Sequence, residues 1–189
     1  MKKIGHAGTL DPLATGLMIM LIGKATKVSQ FLISLDKSYE GEFRLGIETN
    51  SQDSDGEIVS EQSIPEDLTN EKLAETMKTF LGDQYQTPPM FSAKKIGGVK
   101  LYELARKNII VDRKPTQINI NDINIINFNE TNIVFTVSCS KGTYIRVLGK
   151  EIAEKLGTVG HLNSLIRTRV GEYVINDSVS LDQFKHSWK

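Results

Sequence analysis

The chain has 189 residues, of which 39% are apolar and 24% charged, with 5 Pro, 15 Gly and one cysteine; this excludes disorder, collagen-like repetition, a disulfide framework and a multi-cysteine zinc site. Its longest apolar run, Leu17–Ile22, falls far short of the roughly 20 residues that span a bilayer, and Lys2-Lys3 lead into no signal-peptide core, so a soluble cytoplasmic protein is expected. The net charge is zero but unevenly spread: +2 over residues 1–36, −8 over 37–75 and +6 over 76–189, which leaves room for a basic, phosphate-attracting face.

Leu17–Ile22, bounded by Gly16 and Gly23, predicts a strand buried on both faces. Ala25, Val28, Leu32 and Leu35 then repeat at helical spacing over about residues 24–35. Tyr39, Gly41, Phe43 and Leu45 alternate with Glu40, Glu42 and Arg44, which marks a strand with one wet face. A polar turn over 49–57 ends at Asp55-Gly56, and Ile58-Val59 reads as a short returning strand. Thr69 caps a helix through Leu73, Met77, Phe80 and Leu81 that stops at Gly82. Pro88-Pro89 and Gly97-Gly98 make 84–100 a loop or hairpin, followed by a short helix over 100–107. Ile118/Ile120 and Ile123/Ile125 suggest two strand pieces, and Ile133, Phe135, Val137 and Cys139 form a clear strand. Ile145, Leu148, Ile152 and Leu156 give a helix ending at Gly157; the tail after His161 is mixed, with a last strand at 172–175. Helices and strands intermix without βαβ alternation, so the fold class is α+β, in a single domain over 1–189.

Two stretches carry chemistry. In Gly5-His6-Ala7-Gly8-Thr9-Leu10-Asp11-Pro12-Leu13-Ala14-Thr15-Gly16, Pro12 keeps Asp11 out of the α region and stiffens its backbone. An acid on such a loop suits a nucleophile or general base, or simply an Asp-Pro turn. In Cys139-Ser140-Lys141-Gly142-Thr143-Tyr144-Ile145-Arg146, a strand delivers Arg146 to a helix start. There it can hold a carboxylate through two donors, or serve as an ordinary surface ion-pair partner. Tyr39 shares its strand face with Phe43, and core packing is its plain reading. His6, His161 and His186 lack metal-ligand spacing, so no metal is expected, and Cys139 alternates inward as a small hydrophobe.

Taken in order, these motifs resemble the TruB family of tRNA pseudouridine synthases. The Gly5–Gly16 stretch is similar to the family's active-site signature. Lys37-Ser38-Tyr39 with Leu45-Gly46, then Thr49, Asp53 and Asp55-Gly56, is similar to its second motif. Pro88-Pro89-Met90-Phe91-Ser92-Ala93-Lys94-Lys95 resembles a substrate-side segment, with Phe91 where Tyr is usual; Cys139–Arg146 resembles the third motif, and His161-Leu162 with Leu165-Arg167 the last. The resemblance implies a pseudouridine synthase fold, with a central mixed, largely antiparallel sheet flanked by helices and loops. It also implies isomerisation of uridine 55 in the TΨC loop of tRNA, with no cofactor and a monomeric enzyme. By resemblance Asp11 is the catalytic carboxylate, attacking C1′, adding to C6 or removing a ribose proton; Arg146 pairs with it and Tyr39 stacks on the flipped uracil. His6 intrudes into the tRNA loop, Tyr144 and Leu165 line the pocket, and Lys94, Lys95, Lys141 and Arg167 contact phosphate. Family members usually carry a further strand and helix ahead of the first motif, so a truncated start with an exposed sheet edge is expected. Many relatives also append a small RNA-binding domain that the residues beyond Ile175 cannot hold, which implies weak tRNA affinity. The alternative reading is a non-catalytic tRNA-binding or folding protein of the same descent.

Overall fold

A computed structural model describes residues 3–107 and 109–187. The chain opens with β1 (Ile4–His6), β2 (Ala14–Gly16) and β3 (Met20–Ile22). β1 and β3 pair antiparallel as a small ribbon apart from the main sheet. The expectation of a strand buried on both faces over Leu17–Ile22 is therefore corrected. Leu17 and Leu21 are buried while Met18, Met20 and Ile22 are exposed, because the ribbon packs through one face and leaves the other open. The helix expected over 24–35 is a 3₁₀ segment, Gly23–Val28, followed by α1 (Ser29–Ile33), and neither buries a residue.

β4 (Lys37–Leu45) alternates as its sequence demands, with Gly41, Phe43 and Leu45 buried. β5 (Ile47–Thr49) and β6 (Ile58–Glu61) pair around the polar turn. Thr69 caps α2 (Asn70–Lys78), its hydroxyl accepting from the Lys72 amide at 3.2 Å. β7 (Gly82–Gln86) precedes a tight hairpin of β8 (Lys95–Ile96) and β9 (Val99–Lys100), and α3 (Leu101–Ala105) follows directly. β10 (Thr116–Asn129) is one strand where two pieces were expected. A bulge at Asn121 shifts the register so that Ile120 and Ile123 face the same core. β11 (Asn132–Cys139), α4 (Ile145–Lys155), β12 (Gly160–Val170), β13 (Tyr173–Val174) and α5 (Leu181–Ser187) complete the chain.

The main sheet has seven strands in the order β13-β12-β4-β11-β10-β7, with β2 alongside β12. Every pairing is antiparallel except β2 with β12, so the fold is α+β with a mixed, largely antiparallel sheet. One sheet face carries the core: Phe43, Phe135, Ile133, Ile120 and Leu162 meet Leu73 and Met77 of α2 and Leu148 and Ile152 of α4. The fit is close. The Phe43 and Phe135 rings stack with centroids 3.9 Å apart, and a Cβ on Gly149 would come within 2.4 Å of the Phe43 ring. Along β4 this apolar face gives out at Tyr39, opposite Arg167 of β12, and there the polar side chains gather. Among the described residues no helix is long and apolar enough to cross a membrane.

Candidate active site

The Asp11 loop owes its shape to a turn and a docking contact. The Asp11 carbonyl accepts from the Ala14 amide at 2.9 Å, with Pro12 at the turn's second position, where its fixed φ is favoured. Ala14–Gly16 then pairs in parallel with Leu165–Arg167. Gly16 has φ +100°, and a Cβ there would lie 2.4 Å from the Arg167 carbonyl oxygen, so only glycine allows so close an approach.

Arg146, in the first turn of α4, is 3% exposed and ties together three loops. Its Nε donates to Asp11 Oδ2 at 2.8 Å, its Nη1 to the Ser51 carbonyl at 2.9 Å and its Nη2 to the Phe91 carbonyl at 2.9 Å. Nη1 also lies 3.3 Å from Asp53 Oδ2. The expected two-donor fork on Asp11 is a single contact, since both Nη groups are engaged elsewhere. Asp53 is itself fixed: its Oδ1 accepts from the Ser51 hydroxyl and the Asp55 amide, and its backbone carbonyl accepts from the Thr49 hydroxyl. One guanidinium thus serves two carboxylates, Asp53 deeply buried and Asp11 with 36% of its side chain open. The helix start is steadied by buried Gln86, whose Oε1 accepts from the Tyr144 amide at 2.8 Å and whose Nε2 donates to the Tyr144 carbonyl at 3.2 Å.

Tyr39 packs against the end of the core, near enough to Asp11 and Arg167 for both charges to act on its phenol. Burial pushes that phenol up to about 12, against the downward pull of the Arg167 guanidinium. Asp11, Arg146 and Tyr39 are therefore brought together. Tyr144 lies half-buried beside them at the helix N-cap.

One expected RNA contact is corrected. Arg167 is 1% exposed and donates to the carbonyls of Leu17, Gly8 and Thr9 at 2.8, 3.2 and 3.4 Å, so it braces the Asp11 loop and reaches no phosphate. Leu165 is 6% exposed within the core cluster, across from Gly41 and Ala14, and its pocket role stays an expectation. His6 is exposed on β1, Lys95 on β8, and Lys141 in the turn before α4; Lys94, also exposed, donates to the Thr116 hydroxyl at 2.9 Å. Cys139 is buried and its thiol is pushed up to about 12 by burial, as an inert hydrophobe requires. Among the described residues no group of three or more His, Cys, Asp or Glu side chains could hold a metal ion.

Sequence reasoning did not reveal which groups hold Arg146 in place. Asp53 and Phe91 were visible in the motif wording but not as partners of Arg146, while Ser51, and Gln86 beneath Tyr144, act through a backbone carbonyl or an amide that no spacing rule marks.

Residues 1–145 match the family model described as TruB family pseudouridylate synthase (N terminal domain). A tRNA pseudouridine synthase B from Opitutus terrae is 48% identical over 182 residues, covering 96% of this chain and 75% of that protein. The proteins of the same name from Psychrobacter cryohalolentis and Alkaliphilus oremlandii are 47% and 43% identical, and the chain spans 50% and 61% of their lengths. Among solved structures, a Cbf5-Nop10-Gar1 complex superposes with a TM-score of 0.66 at 28% identity, over 90% of this chain and 42% of the other. An H/ACA RNP bound to a substrate RNA containing 2'-deoxyuridine gives 0.63 at 25% identity, over 91% and 40%. With the signature loop docked as described and the family model spanning most of the sequence, the chain belongs to the TruB family of pseudouridylate synthases.

Proposed function

We propose that this chain converts a uridine in the TΨC loop of tRNA to pseudouridine, with Asp11 as the catalytic carboxylate. The observation that carries the reading is the Asp11–Arg146 contact at 2.8 Å beside Tyr39. A uridine inside a folded loop is out of reach of a carboxylate, so the base must flip out, at a cost of a few kcal/mol. Stacking on Tyr39 returns about 1–3 kcal/mol of that cost. Arg146 binds Asp11 Oδ2 and is itself locked by Ser51, Asp53 and Phe91, so Oδ2 is held still while Oδ1 has no protein partner among the described residues and is left for the substrate. A carboxylate so fixed meets the positional demand of attack at a single atom.

The net change is an isomerisation. The N1–C1′ bond breaks, a C5–C1′ bond forms, the C5 proton leaves and N1 gains a proton. In this proposal the half-buried, neutral Tyr39 phenol faces the side of the flipped base from which the C5 proton departs. A cytoplasmic location, a monomeric state, a single catalytic domain and contacts from His6 and the exposed lysines belong to the same proposal. The test is pseudouridine mapping on an unmodified tRNA transcript, with Asp11→Asn alongside. Wild type is expected to modify the TΨC loop, and Asp11→Asn to bind tRNA without forming product. Turnover by Asp11→Asn overturns the role of the acid, and binding without any wild-type product leaves the non-catalytic tRNA-binding alternative.

A further inference from the structure

Arg167 is a buried cation that the reaction as described does not use. Its guanidinium is 1% exposed, and among the described residues no carboxylate lies within ion-pair distance of it. Burying an unpaired guanidinium is costly unless its donors are satisfied. Here they are met by backbone carbonyls, and the choice of carbonyls is informative. Gly8 and Thr9 enter the Asp11 loop, whereas Leu17 leaves it, so one side chain grips both stems of the loop. The backbone of Arg167 adds to the grip, its carbonyl accepting from the Leu17 amide at 2.8 Å. Across the sheet, Arg167 and Tyr39 are direct partners in the β12–β4 ladder, so their side chains rise from the same face.

We propose that Arg167 is a positioning residue for this reaction: by clamping both stems of the Asp11 loop while facing the Tyr39 phenol, it holds the acid and the aromatic ring in one rigid frame. The inference rests on the proposed activity but concerns a different group, reached through the loop and not through substrate. A planar fork suits three carbonyls in three directions; a lysine ammonium at the end of a flexible stem does not reproduce that geometry.

The experiment compares Arg167→Lys and Arg167→Met with wild type on the full chain. It measures the single-turnover rate on tRNA transcript, stoichiometric tRNA binding and amide hydrogen exchange across 7–17. For Arg167→Met the rate is expected to fall about 100-fold, the scale on which a small misplacement of a reacting group acts, while tRNA affinity stays within about threefold. Arg167→Lys is expected to recover about tenfold of that loss by restoring the charge and part of the donor set. Exchange is expected to quicken in 7–17 and not in β10 or β11.

A Met variant within about threefold of the wild-type rate overturns the proposal. So does a Lys variant that recovers nothing, or one that loses tRNA binding or the folded state, because either makes the residue a general structural support. If the Met variant does not fold, the Lys variant's rate and local exchange decide. If wild type forms no pseudouridine, the proposed activity fails by itself. The clamp then stands on faster exchange confined to 7–17 in the Lys variant, and falls if exchange is unchanged or faster throughout.

Discussion

Two carboxylates on one guanidinium make opposite demands on the molecule. Asp53 is 5% exposed at its side chain and lies 3.3 Å from Arg146 Nη1, so Asp53→Asn removes a charge from a buried pair. Breaking such a pair costs about 3 kcal/mol, and we expect urea denaturation to show a loss of that order. Asp11, with 36% of its side chain open, lets water take over what Arg146 loses, so Asp11→Asn is expected to change stability by less than about 1 kcal/mol. Equal losses in the two variants would contradict this division of labour. Cys139 supports a pH test at the same scale. Its thiol rises from an ordinary 9.0 to about 12 on folding, and the Tyr39 phenol from 10.0 to about 12. Both are raised neutral acids, so the stability they contribute is complete below their unfolded values and is lost as pH climbs through about 12. Lys37, the cross-strand partner of Cys139, is lowered by burial and acts the other way, so the thiol must be isolated by difference. Wild type minus Cys139→Ala should lose stability from about pH 9 upward at about 1.4 kcal/mol per pH unit. A difference that stays flat between pH 9 and 12 would show the thiol to be solvated.

Among the elements, α4 bears most directly on the site, because its first turn carries Arg146 while its middle seats on β4. Gly149 marks that seat. Gly→Ala in a helix gains about 1 kcal/mol of propensity, but the new Cβ would press on a Phe43 ring already stacked on Phe135, and overpacking costs about 1–3 kcal/mol. Packing is expected to prevail, with Gly149→Ala less stable in urea; a gain would show that α4 can slide outward. The same strands show what could be read in advance. β4 and β11 were legible because one face is core and the other wet over an unbroken run, and Thr69 announced α2 by its cap. β12 was not, although it bridges β4 and the Asp11 loop. Bulges at Asn163 and Thr168 break its period of two, and Arg167 occupies a buried position where an apolar residue would have marked the face. β7 was missed for a plainer reason: Gly-Asp-Gln-Tyr-Gln at a sheet edge buries only its last residue, so it carries no apolar signal. For the site, Asp11, Tyr39 and Arg146 could be picked from motif wording. The partition of Arg146 among Asp11, Ser51, Asp53 and Phe91 depends on loops brought together from positions 11, 51–53 and 91, and local spacing contains no trace of that.

At the scale of the whole molecule, the proposed function requires a chain of zero net charge to bind a polyanion through the placement of its charges. β4 turns Glu40 and Glu42 to the sheet face opposite the core, away from Tyr39 and Gly41, so part of the acidic segment lies off the side where Asp11 and Arg146 meet. Lysines 94 and 95 sit by the β8–β9 hairpin, and Lys141 stands in the turn that leads to Arg146; all three are exposed, free of carboxylate partners within 4 Å among the described residues, and thus available to phosphate. Each phosphate neutralised by a lysine releases condensed counterions, which ties affinity to salt. Lys94→Ala, Lys95→Ala and Lys141→Ala are each expected to weaken tRNA binding and to flatten the plot of log Kd against log salt by about one unit, leaving the single-turnover rate at saturating tRNA unchanged. Lys94 should show the smallest effect, because its ammonium gives up a hydrogen bond to Thr116 before it can serve a phosphate. If none of the three alters the salt slope, the basic surface that offsets the acidic segment lies elsewhere, and tRNA approaches Asp11 from another side of the sheet.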